Sequence, residues 1–203
     1  MALVAGIDPG VSGAIAIYCT DTKTLLSVED IPTWYETVGK KKRKRLDTLA
    51  LTDLFDMMKM LGVELVVMEA VGGRPRQSAS AGFVFGYTVG VLYSSILHAK
   101  IMLETVAPQE WKKLLRIPGK ANGKDKDEKK KASGDIMRRV AELFPNDTDK
   151  FKGPKGGYFM DRADAAMLSK FGGDYLWPQI MKNPVLVRDE ELRLAYRNAD
   201  TGA

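Results

Sequence analysis

The chain has 203 residues, 45% of them hydrophobic and 28% charged, which suits one compact globular domain and excludes a disordered or fibrous protein. A single cysteine, Cys19, and a single histidine, His98, exclude an intrachain disulfide, a cysteine-based zinc site and a histidine cluster. The formal net charge of +5 favours a polyanionic partner, either nucleic acid or an anionic membrane surface, and only motifs can decide between them.

Leu3 to Asp8 and Ala14 to Cys19 are short apolar runs around Pro9, Gly10, Ser12 and Gly13, which predicts two strands joined by a tight turn. A third run from Thr24 to Ile31 stops at Pro32 and completes an antiparallel meander. A basic stretch of six, Lys40, Lys41, Lys42, Arg43, Lys44 and Arg45, follows and reads as a surface loop. Asp47 or Thr48 then caps a helix whose apolar side is Leu49, Leu51, Leu54, Phe55, Met58 and Leu61, ended by Gly62. Val63 to Met68 is a continuous apolar run, as expected of a central strand covered on both faces, and it delivers Glu69 at its end.

After a loop at Gly72 to Gln77, the uncharged segment Ala79 to Ala99 is long enough to span a membrane. Its serines and threonine favour a buried helix instead, and Gly82, Gly86 and Gly90 align on one helical face where another backbone can approach closely. Ile101 to Val106 reads as a fifth strand and Pro108 to Leu115 as a short helix, with Pro108 at a permitted first-turn position. Pro118 to Lys131 is polar and lysine-rich and reads as a loop. Ala132 to Phe144 returns to helical spacing, and a glycine loop from Asn146 to Gly157 leads into a helix carrying Asp161 and Asp164. One domain over residues 1 to 174 is expected, with a tail over 175 to 203 that packs or frays. No secretory signal is apparent, so cytoplasmic residence and no membrane association are the expectation.

Four acids stand out: Asp8, Glu69, Asp161 and Asp164. Each lies in a segment otherwise read as core, where a carboxylate is costly unless paired or bound to a cation. Asp161 and Asp164 are three apart and share a helix face, where like charges repel unless the helix N-terminus or a divalent ion offsets them. The plainer readings are an Asx-type turn for Asp8, a solvent-facing strand end for Glu69, and a helix-start helper with a solvated neighbour for the pair. Taken together, the four offer hard oxygen ligands suited to Mg2+ or Mn2+. Two such ions, held at a scissile phosphate, would activate water and stabilise the leaving oxygen without a histidine base.

The order of elements resembles the RNase H-like nuclease fold: an α/β mixed five-stranded sheet, three antiparallel strands followed by parallel ones, flanked by helices. Local sequence is similar to the RuvC-type Holliday junction resolvases. Gly6-Ile7-Asp8-Pro9-Gly10 matches the strand bearing that family's first acid, Glu69 matches its fourth-strand glutamate, and Asp161-Arg162-Ala163-Asp164-Ala165 matches its final helix. Compact phage-type members share Phe83-Val84-Phe85-Gly86, Val106-Ala107-Pro108-Gln109-Glu110-Trp111-Lys112 and Leu143-Phe144-Pro145, so the resemblance covers about Leu3 to Gly173. It implies a magnesium-dependent endonuclease of branched DNA, two ions per site, and a homodimer that makes paired cuts. Cellular members place an aromatic wedge shortly after the glutamate, where this chain has Gly72-Gly73-Arg74-Pro75-Arg76; Phe83 and Phe85 are expected in the core.

Beside such a site, Lys40 to Arg45 are expected to contact phosphate, with Arg74, Arg76, Lys112, Lys113, Lys124, Lys126 and Lys129 as further candidates. Lys131 is the first choice, and Lys129 the second, for the lysine that the resemblance brings to the scissile phosphate. Trp111 is expected to anchor the core. Alternatives are a related nuclease acting on forks, flaps or RNA-DNA hybrids, a junction-binding protein without catalysis, and an ATPase of the actin or sugar-kinase fold, for which 203 residues leave little room.

Overall fold

A computed structural model describes residues 1–72, 77–118, 126–153 and 157–183. Five strands, β1 (Leu3–Asp8), β2 (Ala14–Cys19), β3 (Thr24–Asp30), β6 (Val63–Glu69) and β7 (Met102–Val106), form one sheet in the order β3-β2-β1-β6-β7. The first three are antiparallel, and β6 and β7 run parallel to β1. This is the mixed sheet expected from the sequence. β1 and β2 bury every residue except Asp8, which is half-buried at the end of β1. Gly13 makes their turn possible, because a Cβ there would strike the Asp8 carbonyl. Its amide donates to the Gly10 carbonyl at 3.0 Å.

Strand alternation divides the core into two layers. Ala5, Ile7, Val66 and Met68 face α1 (Thr48–Met60) and α2 (Ala79–His98), whereas Val4, Leu65 and Val67 face α5 (Met160–Phe171), α4 (Lys126–Leu143) and Trp111 of α3 (Pro108–Leu114). Asp47 caps α1, its Oδ1 accepting from the Ala50 amide at 3.1 Å, an interaction worth about 1 kcal/mol. Leu51, Phe55 and Met58 are buried as expected, but Leu49 and Leu61 are exposed at the two ends of α1. The helix contacts the sheet along one stripe, and its terminal turns overhang it.

Three further expectations are corrected. Lys41–Leu46 is strand β5, paired antiparallel with β4 (Thr33–Val38) in a separate two-stranded sheet, and is no loop. The β-branched and aromatic run of β4 and the positive φ of Gly39 (61°) are the hairpin signals. Lys126 to Lys131 already belong to α4, so the helix begins well before Ala132. Last, α2 is long and apolar enough to cross a membrane by length and composition, yet only 22% of its most apolar stretch is buried. Thr88, Leu92, Ser95 and Ile96 seat it on the sheet, while Gly82, Gly86 and Gly90 face open space and Phe83 is 76% exposed. The glycines therefore admit no close backbone neighbour among the described residues, and Phe83 is not core; Phe85 is only half-buried. Beyond α5, a π-helical turn over Gly172–Leu176 leads into α6 (Trp177–Lys182), which returns Ile180 to the core.

Candidate active site

Gly6 determines how α5 meets the sheet. A Cβ at Gly6 would collide with the Ala165 carbonyl oxygen and the Ser169 amide, so only glycine lets the helix backbone lie against β1. Farther along, Gly172 sits against Val4 and Val67. The helix thus runs antiparallel to β1. Two strand residues, about 6.6 Å, correspond to about four helical residues, which sets Asp8 level with the first two turns of α5, where Asp161 and Asp164 lie. By alternation Asp8 shares the face of Val4 and Gly6, and Glu69 the face of Leu65 and Val67, which is the α5 face. Ile7 pairs with Met68, so Asp8 and Glu69 end neighbouring parallel strands. All four acids therefore share one end and one face of the sheet.

Asp164 is 8% exposed, and Asp8, Glu69 and Asp161 are half-buried. Asp164 also lines a cleft of about 320 Å³ with Pro108, Gln109, Lys112, Ile117, Pro118 and Ile136. Glu69 turns towards α3: its Oε2 accepts from the Trp111 indole nitrogen at 3.2 Å and lies 3.9 Å from the Lys112 ammonium, which sits over the Trp111 ring. Trp111 is fully buried, as expected of a core anchor, and it also orients Glu69, a role carried by no signal in the sequence. As donors, four carboxylates fit a hard divalent cation. Among the described residues, however, no group of three or more acidic, histidine or cysteine side chains is gathered closely enough to hold an ion.

Arg162, between the two helix acids, fastens the site. Its guanidinium makes a bidentate pair with Asp30 at the end of β3, 2.7 and 2.9 Å, and also donates to the Lys152 carbonyl at 3.1 Å. The ion pair holds the Asp30 carboxyl below the usual carboxylate range. Asp30 pairs with Ala14, which pairs with Asp8, so one row across the sheet joins β3, the first acid and the root of the β4-β5 hairpin.

The predicted cations separate in space. Lys40, Lys41, Lys42 and Arg43 are exposed along the hairpin and Lys44 is half-buried; Arg45 is held by Glu36 at 2.7 Å. Lys112 faces the acids and Lys113 faces outward. Lys131 is exposed on the second turn of α4. Arg74, Arg76 and Lys124, together with the side chains of Lys126 and Lys129, lie outside the described residues, as do tail residues 184–203.

The sheet order, the helix laid along β1 and the acids at one strand end define an RNase H-like α/β fold. Among solved structures, this chain is similar to Thermus thermophilus RuvC in complex with Holliday junction substrate, with a TM-score of 0.55 at 15% identity over 88% of this chain and 96% of that one. A second Thermus thermophilus RuvC structure gives 0.47 at 15% identity over 87% and 96%. No family model matches the sequence, and no curated protein is similar to it in sequence.

Proposed function

We propose that this protein is a magnesium-dependent endonuclease that cuts branched DNA, with the Holliday junction as its substrate. The observation that carries the reading is the placement of Asp8, Glu69, Asp161 and Asp164 on one face and one end of a RuvC-type sheet, beside a cleft bordered by Asp164 and Lys112. Asp8 and Glu69 would bind divalent cations from the sheet and Asp161 and Asp164 from α5. When bound, the ions supply charge stabilisation and an activated water. Trp111 orients Glu69, Arg162 fixes the height of α5, and Lys112 offers a positive charge at the cleft wall for phosphate. Lys131, near the start of α4, is the lysine for the scissile phosphate, and the hairpin cations are the outer phosphate contacts. A homodimer supplies two matched sites for the two-fold related strands of a junction.

The test is cleavage of a synthetic four-way junction, a replication fork and an RNA-DNA hybrid of matched sequence, with Mg2+ and with Mn2+. Paired symmetric incision of the junction, well above the other two, is the expected result. Preference for the hybrid or fork would reassign the substrate, and failure to cleave any of them would leave a junction-binding protein.

A further inference from the structure

Among the described elements, the β4-β5 hairpin carries the largest net charge, and almost none of it enters the core. Six cations and one acid give it a net charge of +5, equal to that of the entire chain, so the rest of the protein is formally neutral. It pairs with no strand of the main sheet, and of its residues only Leu46, at the root, is buried. Two aromatics near that root are nevertheless open: Trp34 is 50% exposed and Tyr35 65%. A two-stranded ribbon gains little stability in water from leaving such rings uncovered.

Their placement is informative. Trp34 pairs across the ribbon with Arg45, and Tyr35 with Lys44, so the two rings lie on opposite faces, each beside a cation. The root is firmly held: the Asp47 amide donates to the Pro32 carbonyl at 2.9 Å, Ile31 and Leu46 are buried, and Asp30 is clamped to Arg162 of α5. The root of the ribbon is therefore anchored beside the helix that carries Asp161 and Asp164, and from it first the aromatics and then Lys40 to Arg43 follow outward to the tip. β5 spans about 20 Å, enough to follow several nucleotides.

We propose that the hairpin is a single-strand platform: Trp34 and Tyr35 stack on unpaired bases near the acids while the outer lysines hold the phosphates of the same strand. This rests on reading the protein as a DNA-processing enzyme and adds a recognition element to it. Aromatic faces accept any base but need it unstacked, whereas lysines hold duplex and single strand alike. The ribbon thereby selects DNA that is open at a branch point.

The test uses the full chain without divalent metal, titrated with a short oligothymidylate and with a duplex of similar length. Trp34 is the exposed one of three tryptophans, since Trp111 is fully buried and Trp177 packs against the core. The oligothymidylate should quench a fluorescence component that Trp34→Phe removes. Stacking contributes roughly 5- to 150-fold per base, so Trp34→Ala with Tyr35→Ala should weaken oligothymidylate binding by about tenfold or more. Duplex affinity should stay within about twofold, and Trp34→Phe should retain most single-strand affinity, because a ring remains. Equal loss for both DNA forms, or no loss, would overturn the proposal, the latter leaving the rings to a protein partner. The two readings fail separately. Quenching without cleavage of any branched substrate removes the nuclease and leaves the platform, whereas junction cleavage with oligothymidylate binding indifferent to the aromatic pair does the reverse.

Discussion

Gly6→Ala adds one methyl group at the closest approach of helix to sheet. An ideal Cβ there lies 2.9 Å from the Leu168 carbonyl carbon and nearer still to the Ala165 oxygen and the Ser169 nitrogen, all backbone atoms that no rotamer change can move. Ordinary carbon–carbon packing begins at about 3.5 Å, so α5 must retreat by on the order of 1 Å. Overpacking of this kind costs about 1–3 kcal/mol, and the upper end is expected because the clash is with backbone. With a urea slope of about 2 kcal/mol/M, the unfolding midpoint should fall by about 1 M or more. The same retreat carries Asp161 and Asp164 away from Asp8, and a displacement of that size costs roughly 100-fold in rate. Urea unfolding by circular dichroism and single-turnover junction cleavage, at a temperature where the variant is fully folded, measure the two effects. A wild-type midpoint would refute the seating of α5 on Gly6, and a lowered midpoint with wild-type cleavage would refute the link from that seating to the site.

Neutralising Lys40 to Arg45 should weaken DNA binding and flatten its salt dependence by about 0.9 in log-log slope for each phosphate no longer neutralised; an unchanged slope removes the hairpin from the DNA path. Asp174 accepts from Lys23 at 2.7 Å and from the Tyr18 hydroxyl at 3.2 Å, and pairs with Lys170 at 2.9 Å. Burial pushes its carboxyl up, but hydrogen bonds from Lys23 and Lys170 and their charges more than reverse this, so its pKa lies below the ordinary value. Its contribution is therefore complete above the unfolded pKa of about 3.9 and disappears as pH falls through the lower folded value. Asp174→Asn should cost about 1–2 kcal/mol at neutral pH and progressively less as pH falls below the unfolded value, as read from urea midpoints across that range. Trp111→Phe keeps most of the buried volume but removes the donor to Glu69. It should lower stability by about 1 kcal/mol or more and slow cleavage while leaving junction affinity unchanged; wild-type cleavage would show that the indole does not orient Glu69.

Much of the sheet is readable because its signals are local. Leu3 to Asp8 and Ala14 to Cys19 are unbroken apolar runs bounded by glycine and proline, and the strands form over those residues. The helix cap at Asp47 and the seating of Trp111 are likewise written in short patterns. The hairpin escapes such a reading because six consecutive cations outweigh the β-forming Thr33 to Val38 when charge is the guide, and because pairing between strands is a tertiary fact. Gly82, Gly86 and Gly90 mislead for the opposite reason: spacing shows that they share a face but not what that face meets. The acids are singled out by the cost of burial. Their common face depends on strand alternation and on Gly6, whereas the hold of Trp111 and Lys112 on Glu69 and the Arg162 clamp on Asp30 join residues distant in sequence and become visible only in three dimensions.

The most direct test of the account compares wild type with Asp8→Asn on one four-way junction, measuring binding without metal and cleavage after Mg2+ is added. The account predicts equal binding, and metal-dependent incision by the wild type that falls by at least roughly 100-fold in the variant. Incision by Asp8→Asn at the wild-type rate would contradict the assignment of the acids, and with it the proposed enzyme.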